Sequence, residues 1–385
     1  MAERKILSVG HMEFPFGKAQ VQRQLLLAKA IILEGFDVTV LCRYGIHNES
    51  DRIEKEGFYE GVHYVYCSGT SVRPQGCVRR NMLKFKGLLN EIRYYRKYSG
   101  NHQLAGVLVS TNRFYNILFY FLLGRIFNTI TVVDNVEYWT SNKDIKGLKR
   151  ADKYLYDKLY YRYTDKIICI SDFLINKVRD PEKRAILKIP SITDFEKFRN
   201  SNNSQLVRES YFLFCGSKAY FEVIDFVIAS FEILDQNNIL LILVTEKTDS
   251  LKDRILNSSR KDQILVMTNI AYEDLVNLYT HSTALIIPMR NTDQDKARFP
   301  HKISEYCAAS RPIITDRVGE ISNYFNENNS YLCSGYDINE FAGAMEKILA
   351  EPDQAGRIAA KSYQTGLIHF NYRSYSSALI NLFNN

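Results

Sequence analysis

Residues 298–321 read RFPHKISEYCAASRPIITDRVGEI. Arg298, His301 and Lys302 crowd positive charge and donor capacity around Pro300, directly ahead of an apolar spacing, Ile303, Tyr306 and Cys307, that follows a helical period. Pro300 suits the first helical position, because the N–H it lacks is one the helix leaves unpaired anyway. Ser310 to Pro312 break the helix, and Ile313, Ile314 and Thr315 read as a buried strand before a turn at Val318-Gly319. The unit is therefore loop, helix start, helix, strand, which is a piece of an α/β fold. A helix start carries unpaired N–H groups and a partial positive charge, so it attracts anions, phosphate above all. Lys302 and Glu305 are three apart and share a face, setting a phosphate-seeking cation beside a hydroxyl-seeking carboxylate. The same spacing also fits a solvated surface pair worth only ~0.3 kcal/mol.

The α/β pattern extends in both directions. "KILSVG" reads as a strand, "AQVQRQLLLAKAIILEG" as a helix closed by Gly35, and "DVTVLC", "AGVLVS", "TITVVD" and "KIICIS" as further strands with helical segments between them. Such alternation predicts parallel strands with crossover helices on both faces. After "ILKIPSITDFEKF" the pattern restarts with "YFLFCG", "FEVIDFVIASFEIL", "ILLILVT", "QILVMTN", "YEDLVNLYTH" and "TALIIPM". Two doubly wound domains follow, 1–190 and 191–368. Residues 369–385, with "NYRSYSSALINLF", form an amphipathic helix expected to cross back onto the first domain.

A chain of 385 residues with 46% hydrophobic and 24% charged residues suits two ordinary globular domains. A formal net charge of +7 favours phosphorylated partners and anionic membrane surfaces. Nucleic acid is not among the expected partners. Seven Cys, scattered through apolar strands without a C-x-x-C pair, read as buried small hydrophobes in a reducing cytoplasm. The seven His show no ligand spacing, so no metal site is expected. No leader is expected ahead of "KILSVG", and "FYNILFYFLLGRIF" at 114–127 is too short and too interrupted by Arg125 to span a bilayer, so it reads as a buried helix.

Open parallel sheets bind ligands beyond the carboxyl ends of their strands, so function should collect in the loops that follow them. After the first strand comes "GHMEFPFGKAQVQRQ", where Gly17 and Lys18 stand at the start of a helix; a plain turn glycine is the other reading of Gly17. The loop has neither the G-x-G-x-x-G of dinucleotide folds nor the Gly-Lys-Ser/Thr ending of a P-loop. "TVVDNVEYW" puts Asp134 at a strand end and Glu137 just beyond it. Those carboxylates either orient a hydroxyl and balance a developing cation or cap the next helix, and the sequence leaves both open. "FCGSKAYFEV" sets Gly216, Ser217 and Lys218 behind the first strand of the second domain.

Together these stretches resemble family-4 glycosyltransferases, the retaining enzymes of capsular, exopolysaccharide and lipopolysaccharide synthesis. The resemblance rests on "FPFGKAQVQRQLLLAKAI", "EGFDVTVL", "TDKIICISDFL", "YFLFCGS" and, most specifically, "FPHKISEYCAASRPIITDRVGEI". It implies the GT-B fold, with two Rossmann-like, doubly wound parallel-sheet domains facing across a cleft. It gives Arg298, Phe299, Pro300, His301 and Lys302 to the donor sugar and phosphates, and Glu305 to the ribose hydroxyls. Two positions depart from the family pattern. Ala297 stands where many members carry a first glutamate, and Glu222-Val223 stand where Lys-Gly is expected.

The implied reaction moves a sugar from a nucleotide diphosphate, UDP or GDP, to a saccharide hydroxyl that attacks on the leaving-group face. No metal or other cofactor is needed, because cations and a helix dipole stabilise the charge growing on the β-phosphate. Lys302 with Arg298 or Lys218 would serve the leaving group, Asp134 or Glu137 the acceptor or sugar, and Ile270 and Tyr272 the base. The acceptor expected is a saccharide, lipid-linked or free. "RRNMLKFKGLLNEIRYYRKY" at 79–98 sets Met82, Phe85, Leu88, Leu89 and Ile92 on one side with seven Lys or Arg around them, which suits an anionic membrane surface or a stripe packed on the first domain. The expected location is cytoplasmic, with peripheral placement on the inner face of the plasma membrane. A GT-B sugar-nucleotide epimerase and a degenerate transferase serving as a partner subunit are the alternatives.

Overall fold

The computed structural model describes residues 4–10, 12–17, 19–100, 103–140, 145–200 and 205–384. The chain divides into one unit of Met1–Pro190 with Tyr372–Asn385 and a second of Ser191–Asn371. Tyr372, not residue 369, thus begins the segment that rejoins the first unit.

The first unit contains, among the described residues, β1 (Lys5–Val9), β2 (Asp37–Cys42), β3 (Glu56–Tyr59), β4 (Val62–Tyr66), β5 (Leu104–Val109), β6 (Ile130–Asn135), β7 (Lys166–Cys169) and β8 (Ala185–Lys188). They form one sheet in the order β3-β4-β2-β1-β5-β6-β7-β8. All pairs are parallel except β3 with β4. That edge hairpin departs from the expected all-parallel sheet. Its turn is Glu60-Gly61, both with positive φ (46° and 82°), the geometry of a two-residue hairpin loop. The helices are α1 (Ala19–Ile32), α2 (Cys77–Gly100), α3 (Phe114–Ile126), α4 (Gly147–Leu159) and α5 (Asp172–Ile175). β1 and β5 diverge at the point where strand order reverses, and there Gly10, at φ +110°, lets the backbones meet: a Cβ would lie 2.2 Å from the Ser110 carbonyl oxygen.

α2 is anchored through its inner face. Arg43 Nε donates to the fully buried Glu91 at 2.7 Å, and its other nitrogens reach Asn116 and Tyr120 on α3. The outer face of α2 leaves Met82, Phe85 and Leu89 exposed, Leu89 the least of the three. α3 is buried on one face only, with Tyr115, Leu122 and Ile126 exposed. The C-terminal segment is a short 3₁₀ turn, Tyr372–Tyr375, followed by the helix Ser376–Asn381 against α1, rather than one continuous helix. Among the described residues no helix is long and apolar enough to cross a membrane.

The second unit contains β9 (Tyr211–Cys215), β10 (Leu240–Val244), β11 (Ile264–Met267), β12 (Ala284–Ile287), β13 (Ile313–Asp316) and β14 (Tyr331–Cys333) in the order β11-β10-β9-β12-β13-β14, with every pair parallel. This is the doubly wound order in which the chain reverses direction between its first and fourth strands. The helices leading to its rim are α6 (Phe195–Arg199), α7 (Phe221–Glu232), α8 (Asp249–Leu256), α9 (Tyr272–His281), α10 (Asp293–Ala297) and α11 (His301–Ala308). Phe212, Val227, Phe231, Leu241, Ile286 and Phe341 meet in its core, and β12 is buried along its whole length. Burial on both faces explains why these strands read as unbroken apolar runs.

Candidate functional site

In the second unit the site grows from the carboxyl ends of β9 and β12. α11 begins at Pro300, whose φ of −59° and ψ of 128° hold it outside the helix, and no side chain caps the first turn. The helix Ile338–Ala350, by contrast, is capped by Asp337. The start of α11 thus has no side-chain acceptor on its first N–H groups, the arrangement that suits a helix start to an anion.

Glu305, one turn in, is buried. It accepts from the Tyr272 hydroxyl at 3.1 Å and lies 3.6 Å from His301 Nε2. Its carboxylate is therefore fixed by α9 and its own helix rather than paired with Lys302. Lys302 instead lies beside Cys215 at the end of β9, where burial pushes the thiol up and the lysine charge opposes the shift. Gly216 continues the backbone, its N–H donating to Val244 O at 3.1 Å. Ser217 caps the 3₁₀ turn Lys218–Tyr220, and the exposed Lys218 donates its backbone N–H to Glu246 at 2.8 Å. Ile270 is half-buried on the loop that leads into Tyr272. Gly216, Ser217 and Lys302 thus gather at the end of β9, while Tyr272, His301 and Glu305 join where α9 meets α11.

Phe299 differs from its expected role. Its ring is buried against Tyr324 (5.5 Å) and Phe370 (5.3 Å), and its carbonyl accepts from Ser191, so the side chain is core and only its backbone remains for a ligand. Ala297 is fully buried at the end of α10. Two residues earlier stands a carboxylate that the sequence reading missed: the buried Asp295 holds Arg290 at 3.0 Å and Arg298 at 2.5 Å. The signal was present in Thr292-x-x-Asp295, a capping pattern in which Asp295 N–H donates to the Thr292 hydroxyl at 3.2 Å. Tyr220 completes the group by lying under Arg298, 4.5 Å from ring centroid to guanidinium.

In the first unit a small cavity of about 20 Å³ lies at the carboxyl ends of β5 and β6, with Gln20, Arg23, Ser110, Asp134, Glu137 and Trp139 in its walls. Asp134 is engaged in a buried ion pair. Both of its oxygens are taken by Arg23, at 2.9 and 3.0 Å, and Arg23 also donates to the carbonyls of Ile189 and Pro190. The buried charge needs this partner, which makes Asp134 a holder of Arg23. Glu137 is half-buried in the cavity wall. The Ser110 hydroxyl is buried there without a partner. Asp157 accepts from the backbone N–H groups of Trp139 (3.3 Å) and Thr140 (2.6 Å), fixing the indole. The Lys153 ammonium lies 3.7 Å from the indole centroid and donates to the Asn112 carbonyl; burial pushes it down to about 8. Gly17 is exposed ahead of α1, where a Cβ would press on Val21, and Lys18 lies outside the described residues.

Among the described residues no group of three or more His, Cys, Asp or Glu is arranged to hold a metal ion.

Residues 194–365 match the model of the family described as glycosyl transferases group 1. The fold is GT-B. The sucrose-phosphate synthase of Thermosynechococcus elongatus matches with a TM-score of 0.76 at 16% identity, covering 99% of this chain and 98% of that one. HepE of Anabaena in complex with UDP-glucose matches with a TM-score of 0.71 at 12% identity, covering 98% of each chain. WaaG, a glycosyltransferase involved in lipopolysaccharide biosynthesis, matches with a TM-score of 0.66 at 13% identity, covering 99% of this chain and 100% of that one. A search of curated proteins finds no match. The matched stretch contains Glu305, Tyr272 and the start of α11.

Proposed function

We propose that the protein is a retaining, metal-independent glycosyltransferase that moves a sugar from a UDP or GDP donor to a saccharide hydroxyl, on a lipid-linked acceptor, in cell-surface polysaccharide synthesis. The observation that carries this reading is the pairing of a buried, oriented Glu305 with the uncapped N-terminus of α11 and Lys302. Glu305 accepts from the ribose hydroxyls, and Ile270 and Tyr272 border the base. The N–H groups of α11, with Lys302, Arg298 and Lys218, face the diphosphate. As the anomeric C–O bond breaks, charge grows on the β-phosphate, and preorganised donors stabilise it without reorganising. Glu137 contacts the acceptor or the oxocarbenium-like sugar. UDP-glucose bound to HepE and the lipopolysaccharide role of WaaG support the donor class and the acceptor class respectively.

The exposed apolar residues of α2, flanked by exposed Arg79 and Lys86, support a peripheral membrane position on an anionic leaflet, where a lipid-linked acceptor resides.

The test is steady-state kinetics with a donor that binds, followed by NMR assignment of the product's anomeric configuration. Retention, undiminished by EDTA, is expected. Lys302→Ala should lower kcat by on the order of 10²-fold or more while raising the donor KM less, because the charge it opposes is larger in the transition state. An inverted product overturns the retaining mechanism, and a wild-type kcat with only a raised KM reduces Lys302 to a docking residue.

A further inference from the structure

Arg290, on the loop after β12, and Arg298, just ahead of α11, converge on one carboxylate. Asp295 is 1% exposed; its Oδ2 accepts from Arg290 N and Nε, each at 3.0 Å, and its Oδ1 from Arg298 Nη2. One buried negative charge thus fixes two guanidinium groups and leaves the trio with a net positive charge. Two features leave this charge only weakly compensated. Arg298 Nε is enclosed without an acceptor. The remaining counter-ion, Glu222, reaches Arg290 Nη1 at 3.3 Å from a side chain that is 83% exposed. A solvated pair of that kind is worth little and yields readily to a multivalent anion.

We propose that Arg290 and Arg298, held by Asp295, form the cradle for the donor's diphosphate, and that Glu222 is a displaceable counter-ion occupying Arg290 until the donor arrives. This rests on the transferase reading and extends it. The arginine that binds the leaving group comes from the loop after β12, and the acidic residue at 222 lowers nucleotide affinity instead of supporting it. Asp295 acts as a positioning residue through the arginines and touches no substrate. The planar guanidinium fork suits a phosphate edge in a way that a lysine does not.

The experiment is calorimetric titration of wild type, Glu222→Gln, Arg290→Gln and Arg290→Lys with UDP and GDP, and with uridine and guanosine as phosphate-free probes. Glu222→Gln removes only an exposed carboxylate and should tighten the diphosphate by about 2–5-fold, the scale of a surface pair. Arg290→Gln should weaken it by about tenfold or more, the scale of a lost charged hydrogen bond, with Arg290→Lys in between. Nucleoside affinity should stay constant across all four proteins. Diphosphate affinities equal to wild type in both Gln variants, or nucleoside affinities that fall in parallel with them, overturn the cradle alone. A wild type that binds neither UDP nor GDP overturns the transferase reading itself, and the cradle with it.

Discussion

Tyr272 donates its hydroxyl to Glu305 at 3.1 Å, tying the first residue of α9 to the second turn of α11. The contact orients a buried carboxylate before any ligand binds, so the cost of ordering it is met on folding rather than on association. Glu305→Gln should therefore weaken UDP or GDP binding by ~1.5–3 kcal/mol, because an amide accepts from two ribose hydroxyls less well than a carboxylate. Tyr272→Phe, which frees the carboxylate without removing it, should cost ~0.5–1.5 kcal/mol. Calorimetry on folded variants checks both, and unchanged affinity in Glu305→Gln would leave Glu305 a structural partner of Tyr272.

Arg23 and Asp134 make a different prediction from a catalytic pair. Each is nearly fully buried, and the guanidinium also serves two carbonyls at the end of the first unit. Removing one partner strands a buried charge, so Asp134→Asn should lower unfolding free energy by ~3–5 kcal/mol in urea denaturation. A variant of wild-type stability that has lost turnover would return Asp134 to the reacting groups.

Asp316 ends β13 and accepts from Met289 N–H at 2.7 Å, bracing the loop that carries Arg290. Burial pushes its carboxyl from the ordinary 3.8 up to about 7. Below the lower value both folded and unfolded chains hold the proton. Between the two values the unfolded chain has released it and the folded chain has not, so this group's contribution to stability falls as pH rises from about 4 to 7 and then levels off. Asp316→Asn should flatten that slope, read as unfolding free energy at pH 5 and pH 7.5. Equal pH dependence in the two proteins would contradict the buried, protonated carboxyl.

On α2, Met82, Phe85 and Leu89 are exposed beside a basic flank. Replacing all three by Ser should reduce sedimentation with anionic vesicles while leaving stability within about 1 kcal/mol, because Met82 and Phe85 are largely exposed and Leu89 is partly so. Replacing Arg79, Arg80, Lys84 and Lys86 by Ser should cost ~1 kcal/mol of vesicle binding per charge. Unchanged sedimentation in both sets would remove the membrane from the account.

The readable parts of this chain were those in which one short stretch carries the whole signal. Strands β9, β11 and β12 are apolar runs closed by Gly, Asn or Pro, and the start of α11 lies within eight consecutive residues. The β3–β4 hairpin escaped because "FYEGVHYVY" depends on a tight Glu60-Gly61 turn, with Glu60 in a conformation glycine usually takes. The three-residue β14 and the helices Ile338–Ala350 and Pro352–His369 were not singled out either. That Glu305 and Lys302 share one helix was legible from their spacing. Arg23 with Asp134 was not, since the partners are 111 positions apart and only the sheet brings them together. Phe299 was misjudged because a motif does not tell which side of the backbone faces the core.

The most direct test of the central claim is thermal unfolding of wild type and Glu305→Gln with a panel of UDP- and GDP-sugars, with and without EDTA. A donor at 100 times its Kd adds ~2.7 kcal/mol of stability. The account predicts such stabilisation of the wild type by at least one nucleotide sugar, unaffected by EDTA and much reduced in Glu305→Gln. No stabilisation by any member of the panel, or stabilisation equal in the two proteins, would contradict it.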